Sequence, residues 1–330
     1  MLFLNNSLSF PIFSLIVTMK IISLIIISSI IFSSQVLAQI ATPSLDTSKK
    51  TDLAAASSWR FYSSIAVGYR SGSGKIKSNG STIAEFDQTY TEALIAIQLW
   101  DLTFEYGVNP EYKRTTEISY PTETQVTQTE QSQSNLAYRI NQNISIGASS
   151  RNWKFDDNSD TSTDGLNNES GIGQESATGY GLSVSLLDIF FFAYGVVNVE
   201  HKADGYEDNE WQDQYQGVSI LTGGGLRIEW SKIESPEAEK TGAVSHNQYT
   251  DTRITVEYLF DEWLFSYQNQ DYVIKPIGDD GEDIEYEYIT YGLGLILDQG
   301  ISFNLSMKNG SDSEEEFEVK IYRLGLAYNY

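Results

Sequence analysis

The sequence predicts an all-β chain: an antiparallel transmembrane β-barrel of 14 strands, with 12 as the alternative count. Short periplasmic turns and long extracellular loops join the strands. Three observations carry this reading. Apolar residues recur with a period of two and no helical stripe is sustained, tight turns alternate with long polar connections, and large aromatic residues gather beside the tight turns.

The N-terminal segment is set aside first. Lys20 precedes the apolar stretch Ile21 to Phe32, and Val36-Leu37-Ala38 follows with small residues. This is the layout of a secretory signal peptide cut between Ala38 and Gln39. Such a stretch is short of the roughly 20 apolar residues that a permanent helical anchor needs. Residues 1–38 therefore read as an over-extended start upstream of Met19 plus the signal, with an uncleaved anchor as the alternative. Residues 39–58, rich in Ser, Thr, Ala and Asp, read as a disordered periplasmic tail. The barrel is left to residues 59–330.

Along the rest of the chain the strands follow from alternation. Thr91, Ala93, Ile95, Ile97 and Leu99 alternate with Tyr90, Glu92, Leu94, Ala96 and Gln98. Leu102, Phe104, Tyr106 and Val108 alternate with Thr103, Glu105 and Gly107, and Ile301, Phe303, Leu305 and Met307 with Ser302, Asn304 and Ser306. One face apolar and the other small or polar is what a strand between lipid and a wet lumen requires. Tight turns are expected at Trp100-Asp101, Asn141 to Asn143, Leu187-Asp188, Asp261-Glu262 and Asp298 to Gly300. Long polar loops are expected over Ser71 to Asp87, Lys113 to Gln131, Asp156 to Glu175, His201 to Asp213 and Val273 to Asp283. Trp100, Trp230, Phe260 and Trp263 flank the tight turns as an interfacial girdle does. The count turns on Tyr215 to Trp230. Broken at Thr222-Gly223-Gly224 it is a hairpin, Ser231 to Asn247 becomes an external loop, and the total is fourteen.

Charge and composition exclude several classes. Without residues 1–38, which contain only Lys20, the chain carries 20 Lys plus Arg against 45 Asp plus Glu, a balance of −25. A nucleic-acid partner is not expected, because a phosphate backbone demands a basic face. With no Cys and two His, thiol catalysis and structural zinc are excluded, and no cofactor is expected.

The last eight residues, Arg323-Leu324-Gly325-Leu326-Ala327-Tyr328-Asn329-Tyr330, carry a resemblance. They resemble the C-terminal β-signal of Gram-negative outer-membrane β-barrels of the porin-like superfamily, at Arg323, Gly325, Tyr328 and Tyr330. The resemblance implies insertion into the cell outer membrane by the barrel-assembly machinery, among lipid and lipopolysaccharide. It implies no subfamily. The physical sense is that Leu324, Leu326, Tyr328 and Tyr330 form an apolar outward stripe while Gly325 relieves crowding inside.

Arginine is distributed unlike lysine. Arg60, Arg70, Arg139, Arg151, Arg227, Arg253 and Arg323 fall within expected strands, opposite the apolar stripe, whereas Arg114 falls in an expected loop. Glu92, Glu105, Glu229 and Glu257 share that inward parity. The lumen is thus expected to be mixed and slightly basic, with Glu92, Arg151, Arg253 and Arg323 near mid-height and Glu105, Glu257 and Arg227 in a lower layer. Together with Glu229 and Arg139 these are the candidate constriction residues, either as structural Arg–Glu bridges or as a charged track.

Asp156, Asn158, Asp160 and Asp164 half resemble a calcium loop, but Thr161 stands where the turn needs glycine, so solvated loop is the better reading and no metal is expected. Asp279, Asp280, Glu282 and Asp283 form a second acidic run. His201 and His246 lie in no recognisable catalytic motif, so an enzyme is not expected. The expected activity is passive diffusion of small polar or charged solutes, including ion transport. A non-conducting structural or adhesive barrel is the alternative, and a surface enzyme a distant third. Tyr330→Ser is expected to lower the amount of heat-modifiable barrel and leave precursor in the periplasm. Wild-type assembly of that variant, on gels run boiled and unboiled, would show the terminal match to be coincidental.

Overall fold

The computed structural model describes residues 63–78, 80–119, 122–160, 170–187, 189–203, 208–222, 224–236, 247–275, 283–297, 300–312 and 317–329. These form fourteen strands. In chain order they are β1 (Ser64–Ser78), β2 (Ser81–Leu99), β3 (Leu102–Ser119), β4 (Thr122–Arg139), β5 (Ile144–Asp160), β6 (Ser170–Leu186), β7 (Phe190–Ala203), β8 (Asn209–Leu221), β9 (Leu226–Ser235), β10 (Gln248–Phe260), β11 (Trp263–Lys275), β12 (Ile284–Ile296), β13 (Ile301–Asp312) and β14 (Phe317–Asn329). Each pairs with its neighbours in sequence, and β14 returns to pair antiparallel with β1, so the sheet closes into a barrel. The signal and tail regions, together with Arg60, His246, Asp164, Asp279, Asp280, Glu282 and Tyr330, lie outside the described residues.

One end of the barrel, here the turn end, carries both barrel termini and all the predicted tight turns. Trp100, Leu187 and Asp261 adopt positive φ there; at Trp100 and Asp261 this matches the twist of two-residue hairpins. Asn141 caps its own turn, its Oδ1 accepting from the backbone N–H of Asn143 and Ile144. The disputed segment is split as expected, with β8 ending at Leu221 and β9 beginning at Leu226. Gly225, at φ +83°, makes that turn, and a Cβ there would collide with the Leu259 carbonyl.

The other end, the far end, departs from expectation. Ser71 to Asp87 and Lys113 to Gln131 are mostly strand: β1 and β2 continue to a tip at Gly80, β3 continues to Ser119 and β4 begins at Thr122. Arg114 is therefore a strand residue. Likewise β5 runs to Asp160, β7 to Ala203, β9 to Ser235 and β11 to Lys275, which shortens each expected loop. Polar, Thr- and Gln-rich sequence looks like loop to a hydropathy argument. Beyond the lipid, however, neighbouring strands keep supplying hydrogen-bond partners, and the ladder simply continues.

A bulge explains a second irregularity. Between Asn109 and Tyr112 β3 carries one residue more than β4. Pro110 sits there, where a missing N–H does least harm to the ladder. Below the bulge odd residues face inward (Thr103, Glu105, Asn109), and above it even ones do (Arg114, Thr116).

Elsewhere outward and inward positions alternate along the strands. Ile65, Val67 and Tyr69 on β1, Leu305 and Phe303 on β13, and Leu324, Leu326 and Tyr328 on β14 are exposed outward. Ala66, Arg70, Gly325 and Ala327 face inward. On β10 the outward apolar run Ile254, Val256, Tyr258, Phe260 gives way to Thr252 and Thr250, so the belt covers about 20 Å along the strand. Replacing Gly225 by Val should cost about 1–3 kcal/mol through left-handed strain and the clash at Leu259. A urea titration monitored by heat-modifiable mobility measures this, and an unchanged midpoint would mean the turn relaxes freely.

Candidate functional site

The lumen is lined by the inward positions of all fourteen strands, and three tiers can be built from them. Nearest the turn end, Arg227 Nη1 donates to Glu257 Oε2 at 2.7 Å, across β9 and β10, and Arg227 also pairs with Glu229 two residues along its own strand. In a strand, positions i and i+2 share a face, so such pairs follow from sequence spacing. On the facing wall, between the adjacent strands β3 and β4, Asn135 Nδ2 donates to Glu105 at 3.2 Å. Arg139 lies at the end of β4, half buried.

The middle tier lies six or seven residues above the turn end of each strand: Arg70 on β1, Glu92 on β2, Arg151 on β5, Arg253 on β10, Gln270 on β11, Lys308 on β13 and Arg323 on β14. At 3.3 Å per residue and a tilt near 40° this is about 16 Å up the barrel axis. Glu92 is fully buried and receives Arg70 Nη2 at 3.0 Å and Arg323 Nε at 2.6 Å. To reach Arg323 its side chain lies flat across β1 over Gly68, where a Cβ would collide with the carboxylate. Arg253 grips Asp251, with Nη2 donating to Oδ2 at 2.6 Å. Gln270 Nε2 donates to both Asp251 oxygens, and Gln270 Oε1 accepts from Lys308 Nζ at 2.9 Å. Arg151 pairs with Glu175 at 2.6 Å.

The third tier, toward the far end, is aromatic. Phe86 stacks on Phe317 (centroids 5.9 Å apart), Phe317 meets Tyr286 edge-on (5.5 Å), Tyr286 meets Tyr272 (6.2 Å) and Tyr272 meets Tyr249 (5.4 Å). Tyr249 continues through Ile233 to Tyr215 in one buried cluster, and its hydroxyl donates to Asp213. Glycines make room for these rings: a Cβ on Gly74 would strike the Phe86 ring, and one on Gly310 the Tyr288 ring. Cations sit against ring faces where the tiers meet, with Lys308 Nζ 4.1 Å from the Tyr288 centroid, Arg70 4.8 Å from Tyr90 and Arg114 3.9 Å from Phe86. At the exposed far-end rim, Lys77 hydrogen-bonds Glu318 and holds its carboxyl below the usual carboxylate range. Glu85, as acceptor, raises the Lys75 ammonium.

The expected charged residues are therefore brought onto the lumen wall, but they do not oppose one another across it. Among the described residues these ion pairs join the same strand, adjacent strands or strands one apart. Sequence reasoning missed Asp251, Asp213, Glu175, Lys308 and the aromatic tier, and it placed Arg70 inward without counting it among the constriction residues. Parity alone would have found Asp251, two residues from Arg253. The tier itself needs the register that brings six strands together.

Asp156, Asn158 and Asp160 belong to β5 and pair with β4, so they lack the curled backbone of a calcium loop. Among the described residues no cluster of three or more His, Asp or Glu could hold a metal. His201 lies on β7 rather than in a loop. It faces inward with Nδ1 4.0 Å from Glu175 and its ring beside Trp211.

No protein-family model matches the sequence, and no curated protein does. Solved structures do. A FadL homologue of Pseudomonas aeruginosa aligns over 84% of this chain and 93% of its own with a TM-score of 0.62 at 9% identity. The CymD monoaromatic hydrocarbon channel aligns over 82% and 88% with a TM-score of 0.58 at 10% identity. The P. putida toluene transporter TodX aligns over 82% and 90% with a TM-score of 0.54 at 9% identity. The fold is thus that of the closed, antiparallel, 14-strand outer-membrane β-barrels.

Glu92 offers the clearest energetic test. Glu92→Gln leaves two buried guanidiniums without their shared carboxylate and should cost about 3–5 kcal/mol. Adding Arg323→Gln should recover part of that loss. Urea unfolding of the single and double variants reads the coupling, and additive losses would show that the pair is not coupled.

Proposed function

We propose that the chain is a channel of the Gram-negative outer membrane through which small solutes diffuse passively. The observation that carries this reading is the division of the barrel into an apolar outward belt and an inward face lined by charged and hydrogen-bonding groups at every height. A barrel in lipid needs the first, and a water-filled path needs the second. The C-terminal signature and the likeness in fold to outer-membrane channels support it. In this reading the turn end is periplasmic, the far end faces outside, and the mature chain follows a cleaved signal through the barrel-assembly machinery into lipid and lipopolysaccharide.

The middle tier is the constriction. Exposed charges are screened over about 8 Å at physiological salt, so the buried cations at mid-height weigh more on ion preference than the overall −25. Weak selectivity is therefore expected from a strongly acidic protein. A second reading, a non-conducting barrel that displays its acidic rim, draws support from the complete burial of Glu92 and the extent of the wall networks. Planar-bilayer recording separates the two. Conductance with a small reversal potential in a KCl gradient, moving toward cations in the Arg151→Ala/Arg253→Ala double variant, is the expected result. Strong cation selectivity that the double variant leaves unchanged would hand control to the rim, and a silent bilayer would favour the second reading.

A further inference from the structure

The aromatic and cationic tiers lie on one wall. Tyr249, Tyr272, Tyr286, Phe317 and Phe86 occupy β10, β11, β12, β14 and β2, nine to thirteen residues above the turn ends of their strands. Lys308, Arg323 and Arg70 lie just below them on β13, β14 and β1. From this juxtaposition we infer that the lumen binds small planar aromatic carboxylates, the ring against the tyrosine and phenylalanine arc and the carboxylate on the cations beneath. The inference rests on the lumen being the solute path, and it goes further by naming the solute.

Four observations carry it. First, the arc is a continuous succession of ring contacts, from Phe86 through Phe317, Tyr286 and Tyr272 to Tyr249. Aromatic rings gain attraction from offset or edge contact with another ring beyond what the buried area supplies. Second, the cations are already seated against rings of the same wall, Lys308 on Tyr288 and Arg70 on Tyr90, so a solute ring and its charged group meet their partners within one molecule's length. Third, one carboxylate, Glu92, faces both Arg70 and Arg323, which leaves this part of the wall basic. A planar guanidinium suits a carboxylate, with two parallel donors available to its two oxygens.

Fourth, space is reserved. Gly74 and Gly310 let the Phe86 and Tyr288 rings lie back against the wall. Diametrically opposite, β6 and β7 present Ala177, Gly179, Gly181 and Gly195 to the lumen.

An uncharged hydrocarbon would use the arc and leave the cations idle, whereas an aliphatic acid would do the reverse. Titration calorimetry on the full mature barrel, folded in detergent, therefore uses three probes: benzoate, cyclohexanecarboxylate (equal charge, no flat π face) and benzyl alcohol (a ring without charge). Benzoate should bind about tenfold more tightly than either control. Tyr272→Leu/Phe317→Leu should bring benzoate to the level of cyclohexanecarboxylate, and Arg323→Gln/Lys308→Gln to that of benzyl alcohol, with heat-modifiable mobility confirming that each variant is folded. Equal affinity for benzoate and cyclohexanecarboxylate would overturn the role of the arc, and equal affinity for benzoate and benzyl alcohol that of the cations. Absence of binding for all three would overturn the inference as a whole. Benzoate preference in a barrel that passes no current would instead sink the channel reading while leaving the binding site intact.

Discussion

The constraint on which everything else depends is that a backbone N–H or C=O in lipid must find its partner within the protein. A sheet satisfies it only if it has no edge, so the decisive contact is the pairing of β14 with β1, thirteen residue pairs from Ser64↔Asn329 to Ile76↔Phe317. The first and last strands are farthest apart in sequence, and closing them is the most non-local event in the fold. The C-terminal signature takes its meaning from this seam. Tyr328 lies between Ile65 and Ile301, outward in the belt, while Gly325 and Ala327 keep the inner side of the seam slender.

Once the sheet is closed, side chains have two environments only, and the chemistry of each follows. In the proposed membrane setting outward positions meet lipid near the turn end and water beyond it, in keeping with the change on β10 from Phe260, Tyr258 and Ile254 to Thr252 and Thr250 along one face. Inward positions are packed against their neighbours on a concave wall. Charges there are desolvated, and each must be matched nearby. Glu92 reaching two strands away over Gly68 is such a match, as is the bidentate grip of Arg253 on Asp251. A chain with a formal charge of −24 can thus carry a basic wall at mid-height. Much of its acid stands outside the belt, on far-end positions such as Glu85, Asp87 and Glu117, where water screens it.

Glycine recurs on the inner face for a packing reason. A ring or carboxylate can lie flat across a neighbouring strand only where that strand has no Cβ, and Gly68, Gly74 and Gly310 each sit beneath such a group. The wall stays thin at those positions. The arc of rings is in this sense a property of strand pairs rather than of any one strand.

Period-two patterning determined the fold class and the inward parity of Glu92, Glu105, Arg151, Arg227, Glu229, Arg253, Glu257 and Arg323, because alternation is a local property that each strand writes for itself; the count of fourteen needed in addition the break of Tyr215 to Trp230 at Thr222-Gly223-Gly224. It did not reveal that residues 71–87 and 113–131 are largely strand. Outside the lipid the apolar signal vanishes while the hydrogen-bonded ladder goes on. Nor did it reveal that Glu92 serves Arg323, or that Phe86, Phe317, Tyr286, Tyr272 and Tyr249 meet. Partners that stand 231 residues apart in sequence, like Arg323 and Glu92, are chosen by register and closure. Those are settled only when all fourteen strands pair at once.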